Sequence, residues 1–394
     1  MDLRNRFIAV RDYTHQLGLP VQTEDMLLQT MPDVSPMRWH LAHTTWFFDT
    51  FVLDGKTREP GWDFLFNSYY NGAGPQFPRD KRGTQSRPTV AQITQWRRRV
   101  DAAVLESLDD PSTHALVEVG THHEQQHQEL MLTDLKHVLF SNPLGPAYRS
   151  EGHPPSATVK PAQWLTFDGQ VTHIGHNQDR FAFDNESPRH RVFVEPFEIM
   201  SRPVSNREFL EFVEDDGYRR AELWFAEGWT TVQTAPWTQP LYWRKEDAGW
   251  QEWTLAGWQP LDLDAPVSHI SLFEADAYAH WSKARLPTEF EWELALGGAV
   301  ASQPPRLRPG ATQNAFGVGD VWEWTSSAFG PYPGFKPWDG TLGEYNGKFM
   351  VNQYVLRGGS CVTPADHIRG TYRNFFPAHA RWQFTGVRLA RSEV

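Results

Sequence analysis

Two histidines, His123 and His127, lie four residues apart in the run HHEQQHQE at 122–129. On an α-helix this spacing places both imidazoles on one face. Two imidazoles so placed can bind one transition-metal ion. The run also satisfies the HExxH pattern of zinc proteases, in which the intervening glutamate, here Glu124, acts as the general base. The spacing therefore predicts a metal centre and leaves two kinds of chemistry open.

A third imidazole is available from His43, which precedes the pair by a long stretch of chain. Helical bundles build their sites from side chains on facing helices, so His43 can approach the other two. Glu129 and Asp134 could orient the ligands through hydrogen bonds. The remaining nearby histidines are interpreted as structural, surface or capping residues: His40, His122 and His137.

The protease interpretation needs a further ligand, usually a downstream carboxylate or a histidine in an extended HExxHxxGxxH run. The residues after His127 are QELM and contain neither glycine nor histidine. Glu151 has a tolerable separation but falls in a segment rich in proline and glycine. We interpret Glu124 as a solvated helix residue and keep proteolysis only as an alternative.

The first part of the chain has the patterns of a helical bundle. Apolar spacing predicts a helix over 2–17, and Ser35-Pro36 is typical of a helix start. A third helix is predicted from Thr89, and a fourth, preceded by Pro111 and Ser112, is predicted to run to about Phe140. Four helices with one long connection, 56–88, predict an antiparallel bundle.

After the bundle the composition changes. Residues 146–160 are rich in Pro, Gly and Ser and are predicted to link a helical domain, 1–145, to a second domain, 161–394. The second domain has scattered Gly, Pro and Trp, which indicates short strands and long loops in an irregular α+β fold. Helices are predicted there at 205–215 and 273–284.

Composition excludes several classes of protein. The formal net charge of −11 argues against nucleic acid or an anionic membrane as the main partner. The chain has one cysteine, so it forms no internal disulfide, which fits the reducing cytoplasm. No segment has 18 consecutive apolar residues, so no membrane span is expected.

Several motifs resemble those of EgtB-type ergothioneine sulfoxide synthases. WHLAH at 39–43 and HEQQH at 123–127 resemble their DinB-like iron-binding four-helix bundle. The second domain resembles their formylglycine-generating-enzyme-like (sulfatase-modifying-factor) domain, an irregular α+β fold related to C-type lectins. The matching runs there are 181–199, 284–293, 319–329 and 355–391. Formylglycine-generating enzymes use a cysteine pair, and this chain has only Cys361.

The resemblance implies that His43, His123 and His127 bind Fe(II). Three imidazoles suit zinc as well, so the resemblance and not the ligand type selects iron. The implied reaction uses O2 to join a sulfur or selenium donor to imidazole C2 of hercynine, which is Nα-trimethylhistidine. The selenoneine synthases (SenA type) are close relatives that use a selenosugar as donor.

The same resemblance assigns residues to hercynine. Gln126 is expected to help hold it, and Asn374, Phe375 and Phe376 match the family's hercynine-binding stretch. Aromatic faces attract quaternary ammonium groups such as the one on hercynine. Without the family match, Phe375 and Phe376 would be interpreted as core residues.

Tyrosines supply the expected acid. Tyr70 is expected to donate a proton or hydrogen atom to reduced oxygen, with Tyr69 in support. In another branch of the family the tyrosine comes from the second domain, where Tyr332 follows the VWEWT motif.

The loop after Tyr70 departs from the family's pattern. An acidic residue has become Asn71, and a basic one has become Gln76. An amino-acid donor needs charged partners for its carboxylate, so these changes favour a neutral, hydroxyl-rich donor such as a selenosugar. Cysteine or γ-glutamylcysteine is the alternative. Three basic residues of the loop remain as candidate contacts for a donor carboxylate: Arg79, Arg82 and Arg87.

Two other classes of function stay open from sequence alone. One is the zinc metalloprotease. The other is a binding module without catalysis, in which a lectin-like domain is carried on a helical stalk.

Overall fold

The computed structural model describes most of the chain and divides it into two compact units. The described residues are 1–152, 156–177, 180–299, 306–311 and 317–392. The first unit comprises Met1–Ser150 and Trp338–Tyr345, and the second comprises Glu151–Pro337 and Asn346–Val394. No sequence feature distinguishes residues 338–345 from the neighbouring residues of the second domain. The predicted domain limits stay predictions. Residues 153–155 of the predicted linker lie outside the described residues.

The first unit contains the predicted DinB-like helical bundle. The long helix α5 packs against α1, and α2 packs against both α4 and α5. The short α3 lies within the long connection and is not foreseen by the sequence. The helices are α1 (Leu3–Gly18), α2 (Met37–Phe51), α3 (Trp62–Phe66), α4 (Val90–Ser107) and α5 (His114–Phe140).

Side chains cap two helices of the first unit, α1 and α4. Asp2 caps α1, and Thr89 forms a capping box with Gln92 at the start of α4. The predicted cap by Ser35 is wrong, because α2 starts at Met37 after Pro36. Oγ of Ser35 instead accepts from Nη1 of Arg82 (3.0 Å), and its backbone N–H donates to Oδ2 of Asp134 (2.8 Å).

The second unit consists of small sheets joined by loops, as predicted. The sheets have the strand orders β1-β4-β12, β2-β3, β5-β6-β7 and β10-β9-β8-β11. The strands are β1 (Trp164–Phe167), β2 (Gln170–Ile174), β3 (His190–Val194), β4 (Phe197–Met200), β5 (Trp243–Glu246), β6 (Gly249–Thr254), β7 (Gly257–Pro260), β8 (Trp322–Ala328), β9 (Tyr354–Arg357), β10 (Asn374–Phe376), β11 (Thr385–Gly386) and β12 (Ala390–Ser392). The helices are α6 (Asn206–Glu214), α7 (Ala226–Thr234), α8 (Leu272–Trp281) and α9 (Glu289–Leu296).

Both predicted helices of the second unit form, as α6 and α8, and each begins with a capping box. Ser205 pairs with Glu208, and Ser271 pairs with Glu274. In a capping box two otherwise unsatisfied backbone N–H groups are bound by side chains three residues apart. This fixed spacing is why these helix starts can be predicted from sequence.

Buried ion pairs hold the loop-rich second unit together. Glu289 lies 2.8 Å from both Arg357 and Arg373, and all three side chains are buried. Tyr332 belongs to the same cluster, since its hydroxyl donates to Oε2 of Glu289 (3.1 Å). Breaking such a buried pair costs several kcal/mol because one charge is left uncompensated.

Within the described residues no helix is both long and apolar enough to cross a membrane.

Candidate metal centre

Three histidines converge in the first unit. One ring nitrogen from each of His43, His123 and His127 lies within 4.8 Å of the others. Helix α2 carries the first, and α5 carries the other two one turn apart. Their side chains are 0%, 1% and 8% exposed. The structure thus brings together the three residues that the spacing and the resemblance selected.

His43 is held in one orientation by its neighbours. Its Nδ1 lies 2.6 Å from the carbonyl oxygen of Phe66 at the end of α3. Its ring stacks between those of Trp39 (4.5 Å) and Trp46 (5.6 Å). Since Nδ1 donates to the carbonyl, Nε2 is left as the acceptor nitrogen, and it has no hydrogen-bond partner among the described residues.

His123 is also poised for a ligand. Both of its ring nitrogens are buried and lack a hydrogen-bond partner within the described part of the chain. Buried polar atoms are normally paired, so such nitrogens call for an explanation. A metal ion bound by the cluster supplies one.

His127 contacts a second histidine. Its Nδ1 lies 2.8 Å from Nδ1 of His40, whose Nε2 lies 3.0 Å from Oδ2 of Asp134. Asp134 was predicted to orient a ligand, and it contacts His40, which in turn contacts His127. His40, interpreted from sequence as structural, therefore contacts the candidate centre directly.

The three imidazoles of the cluster are in the protonation state that binds a metal ion. Burial, together with the neighbouring imidazoles, holds the pKa of His43, His123 and His127 well below the usual value. All three are therefore neutral at physiological pH. Neutral imidazole is the form that binds metal ions, so binding here need not displace protons. Three protein ligands leave coordination positions for substrate, as catalytic metal sites require.

Glu124 is not the solvated residue that the sequence suggested. It is fully buried on another face of α5, where it accepts hydrogen bonds from Nη1 of Arg11 (2.7 Å) and Oγ1 of Thr14 (2.6 Å). Arg97 forms a second ion pair with it. Burial alone would raise the pKa of this carboxyl, but the two guanidinium groups leave it below its usual value. A carboxylate so engaged cannot act as the general base of a protease.

The surface or capping interpretation of His122 is wrong as well. Its side chain is only 2% exposed, and Nη2 of Arg6 lies 3.5 Å from its Nδ1. Most faces of α5 are buried, so polar residues on it cannot be assumed to face water. His137 lies in the last turn of α5 and contacts Oγ1 of Thr30 (2.6 Å).

Tyr345 lies beside the cluster, and Tyr69 and Tyr70 lie next to Tyr345. Tyr70 is fully buried, with its ring 4.6 Å from Tyr69 and 5.7 Å from Trp46. The ring of Tyr345 lies 5.7 Å from that of His123. Sequence reasoning missed Tyr345 and named Tyr332 as the candidate from the second domain. Tyr332 instead lies in the ion-pair cluster of the second unit.

Residues 338–345 form hydrogen bonds with the loop that carries Tyr69 and Tyr70. The carboxylate of Glu344 accepts from the backbone N–H groups of Asn71 (3.0 Å) and Gly72 (2.7 Å). Gln76 donates to Oδ1 of Asn71 (2.8 Å). The hydroxyl of Tyr345 donates to Oε1 of Gln126, the predicted hercynine contact. An acidic side chain therefore meets the loop even though position 71 has lost one.

The three arginines of this loop lie in different surroundings. Arg79 is exposed and donates to the carbonyl of Asp33, and Arg87 is also exposed. Arg82 is 4% exposed, with its guanidinium 3.4 Å from the centre of the Trp39 ring. It also donates to Oγ of Ser35 and of Ser68. A donor carboxylate has access to Arg79 and Arg87 but not to Arg82 in this arrangement.

The predicted hercynine-binding stretch forms β10 in the second unit. Phe375 stacks on Phe329 with ring centres 4.1 Å apart, and Phe376 lies 5.7 Å from Trp382. Oδ1 of Asn374 accepts from the N–H of Phe375. All three side chains are partly exposed, and their contact with hercynine stays a prediction.

Comparison with known proteins gives one consistent result. The DinB superfamily matches residues 6–139, and the sulfatase-modifying factor enzyme 1-like domain matches 154–314 and 307–393. The hercynine oxygenase of Mycolicibacterium thermoresistibile is 32% identical, over 99% of this chain and 93% of its own length. The hercynine oxygenase of Mycobacterium tuberculosis is 31% identical, over 93% of each chain. The formylglycine-generating enzyme of Thermomonospora curvata is 33% identical over 41% of this chain and 61% of its own.

A DinB bundle with three converging histidines, followed by a sulfatase-modifying-factor domain, defines a class of two-domain proteins. Within that class, the chain belongs to the EgtB-type family of hercynine oxygenases.

Proposed function

We propose that this protein is an Fe(II)- and O2-dependent enzyme that joins a selenium or sulfur donor to imidazole C2 of hercynine. One observation carries the proposal: three buried, neutral imidazoles converge, and ring nitrogens of His43 and His123 have no hydrogen-bond partner among the described residues. Membership of the hercynine oxygenase family supports hercynine as the substrate.

Iron bound by His43, His123 and His127 would supply the one-electron chemistry that activates O2. The chain's own residues have distinct tasks around it. Gln126, in hydrogen-bond contact with Tyr345, offers an amide beside the cluster to orient hercynine. Asn374 and Phe375 are proposed to contact the amino-acid portion of hercynine. The quaternary ammonium of that portion would be attracted to the face of the Phe375 ring.

Tyr70 is proposed as the proton donor. Burial, reinforced by the neighbouring Tyr69, Tyr345 and Glu344, raises the pKa of its phenol well above the usual value. The phenol therefore stays protonated at working pH and holds a proton or hydrogen atom for donation during oxygen reduction.

The donor pocket favours a neutral donor. Because Glu344 brings a carboxylate back to this loop, the preference for a neutral donor rests on Gln76, which lacks the positive charge that a donor carboxylate needs. A selenosugar carries no such group, so we favour the selenoneine reaction. Cysteine or γ-glutamylcysteine, bound through Arg79 or Arg87, is the alternative and would give the ergothioneine sulfoxide reaction. A cytoplasmic location stays a prediction.

The deciding experiment loads the protein with Fe(II) anaerobically and adds hercynine and O2 with each donor separately. Mass spectrometry of the products identifies a new C–Se or C–S bond. A coupled product from the selenosugar alone supports the selenium assignment, and one from a thiol alone reverses it. Absence of any O2-dependent product with all three donors would refute the proposed activity.

Replacing Tyr70 with phenylalanine is expected to lower the rate of oxidative coupling by about 100-fold, because general acid catalysis typically contributes that much. Hercynine affinity should not change, since the ring and its packing remain. Product formation and O2 consumption measure the first effect, and calorimetry measures the second. Tyr69→Phe is the matched control and should reduce the rate less. An unaltered product yield in Tyr70→Phe would remove Tyr70 from this role.

Replacing Asn374 with alanine is expected to weaken hercynine binding by about tenfold, the usual effect of losing one or two hydrogen bonds. Isothermal titration with hercynine measures it. Asn352→Ala, which also removes an asparagine side chain from the second unit, serves as control. Equal affinities for the wild type and Asn374→Ala would exclude Asn374 from the substrate site.

The two rival functions have weaker support. The engagement of Glu124 by Arg11 and Arg97 argues against the metalloprotease. The buried histidine cluster argues against a binding module without catalysis, since such a module has no use for it.

A further inference from the structure

Three buried side chains form a chain of hydrogen bonds that ends at the candidate metal centre. Oδ2 of Asp134 lies 3.0 Å from Nε2 of His40, and Nδ1 of His40 lies 2.8 Å from Nδ1 of His127. Their side chains are 3%, 2% and 8% exposed, respectively. His40 lies on α2, one turn before His43, whereas Asp134 and His127 lie on α5.

The contacts determine which nitrogens carry protons. The Asp134 carboxylate can only accept, so with a single ring proton on His40 the donor to it is Nε2. Nδ1 of His40 is then an acceptor, and the proton between the two rings must belong to Nδ1 of His127. Neutral His127 carries only that one ring proton. Its Nε2 is left with a free lone pair, as metal binding requires.

Asp134 is itself held in place. Its Oδ2 accepts from the backbone N–H of Ser35 (2.8 Å), and Oγ of the same serine accepts from Nη1 of Arg82 (3.0 Å). The Arg82 guanidinium in turn lies on the Trp39 ring, which stacks on His43. The carboxylate therefore has a fixed position from which to orient His40.

The partner of His43 is different in kind. Nδ1 of that ring donates to a neutral backbone carbonyl, at Phe66. His127 donates to the imidazole of His40, which the Asp134 carboxylate polarises. The Nε2 atom of His127 is therefore more basic than the Nε2 atom of His43. The two ligands are therefore unequal electron donors.

We propose that His40 and Asp134 are positioning residues that hold His127 as its Nδ1–H tautomer and aim its Nε2 at the metal. This inference rests on the proposed metal centre. Outer partners of metal-binding histidines commonly contribute 10- to 100-fold to affinity, and we expect about that factor here.

Cobalt(II) titration of the metal-free protein tests the proposal without an activity assay. His40→Phe keeps a planar aromatic ring and removes both hydrogen bonds, so the dissociation constant should rise by about 10- to 100-fold. The ligand-field absorption bands of Co(II) should also shift, because His127 is free to turn. Asp134→Asn should weaken binding by a smaller factor, since the amide oxygen can still accept but lacks the charge.

Two further variants separate positioning from folding. The Oδ1 atom of His40→Asn occupies the place of Nδ1, so it can accept from His127 and should recover part of the affinity lost in His40→Phe. His114→Phe removes a histidine from the start of α5, where its Nε2 lies 3.0 Å from the Leu108 carbonyl oxygen. This variant should bind Co(II) like the wild type. Circular dichroism establishes that each variant is folded.

The outcomes are distinct. Weaker binding and shifted bands in His40→Phe, with partial recovery in His40→Asn, support the positioning role of His40 and Asp134. Wild-type affinity and wild-type bands in both His40→Phe and Asp134→Asn overturn that role while leaving the metal centre intact. A wild-type protein that binds no Co(II) overturns the metal centre and the positioning role together.

Discussion

Replacement of His123 by alanine is expected to abolish iron binding and all O2-dependent coupling. His123 is one of three imidazoles whose ring nitrogens lie within 4.8 Å of each other, and both of its nitrogens lack another partner among the described residues. Two remaining ligands hold a divalent ion weakly. We expect an affinity loss greater than the roughly 100-fold that marks the loss of an outer partner.

Iron content after anaerobic loading and desalting measures this effect, together with O2 uptake. His122→Ala is the matched control, because it removes the adjacent buried imidazole from a different face of α5. The control should keep one iron per chain. Full iron content in His123→Ala would show that the histidine cluster is not the centre.

Glu124→Ala is expected to destabilise the first unit by about 3–5 kcal/mol, the usual cost of breaking a buried ion pair from one side. The substitution leaves the guanidinium groups of Arg11 and Arg97 buried without their carboxylate. Urea denaturation followed by fluorescence measures the change. Glu106→Ala, at an exposed position on α4, should alter the free energy of unfolding by less than about 0.5 kcal/mol.

The same carboxylate predicts a pH dependence. The pKa of Glu124 is lowered in the folded protein, so its contribution to stability is fully present above the unfolded value of about 4.3. That contribution is lost as the pH falls through the lower, folded pKa. Glu124→Gln should therefore lose less stability on acidification than the wild type does. Equal acid sensitivity in the two proteins would contradict the ion-pair assignment.

The bundle and the His123/His127 pair could be predicted because both depend on local patterns, whereas His43 came from the bundle argument and the family resemblance. The i, i+4 spacing of His123 and His127 specifies a shared helix face whatever the surroundings. Thr89 and Ser205 mark helix starts through bonds to residues three positions away. Such signals need no knowledge of tertiary contacts.

What sequence reasoning missed depends on residues far apart in the chain. Tyr345 meets Gln126 only because 338–345 packs with the bundle, and no pattern at either position signals this. A glutamate on a helix is normally expected at the surface. Glu124 is instead buried, because Arg11 and Arg97 on other helices pair with its carboxylate. His40 gains its role from Asp134, 94 residues away.

The loop-rich second unit shows the same limit. Glu289 and Arg373 are 84 residues apart, yet their side chains meet in the core. Glu289 begins α9 and Arg373 immediately precedes β10, and charged residues at such positions are normally expected to be exposed. Only the fold reveals that these pair with each other.

A crystal of the protein soaked anaerobically with Fe(II), measured at the iron absorption edge, tests the central claim most directly. The account predicts one anomalous peak in the bundle, about 2.0–2.2 Å from one nitrogen each of His43, His123 and His127. A peak bound by other residues, or no peak beside these three imidazoles at full iron loading, would contradict it.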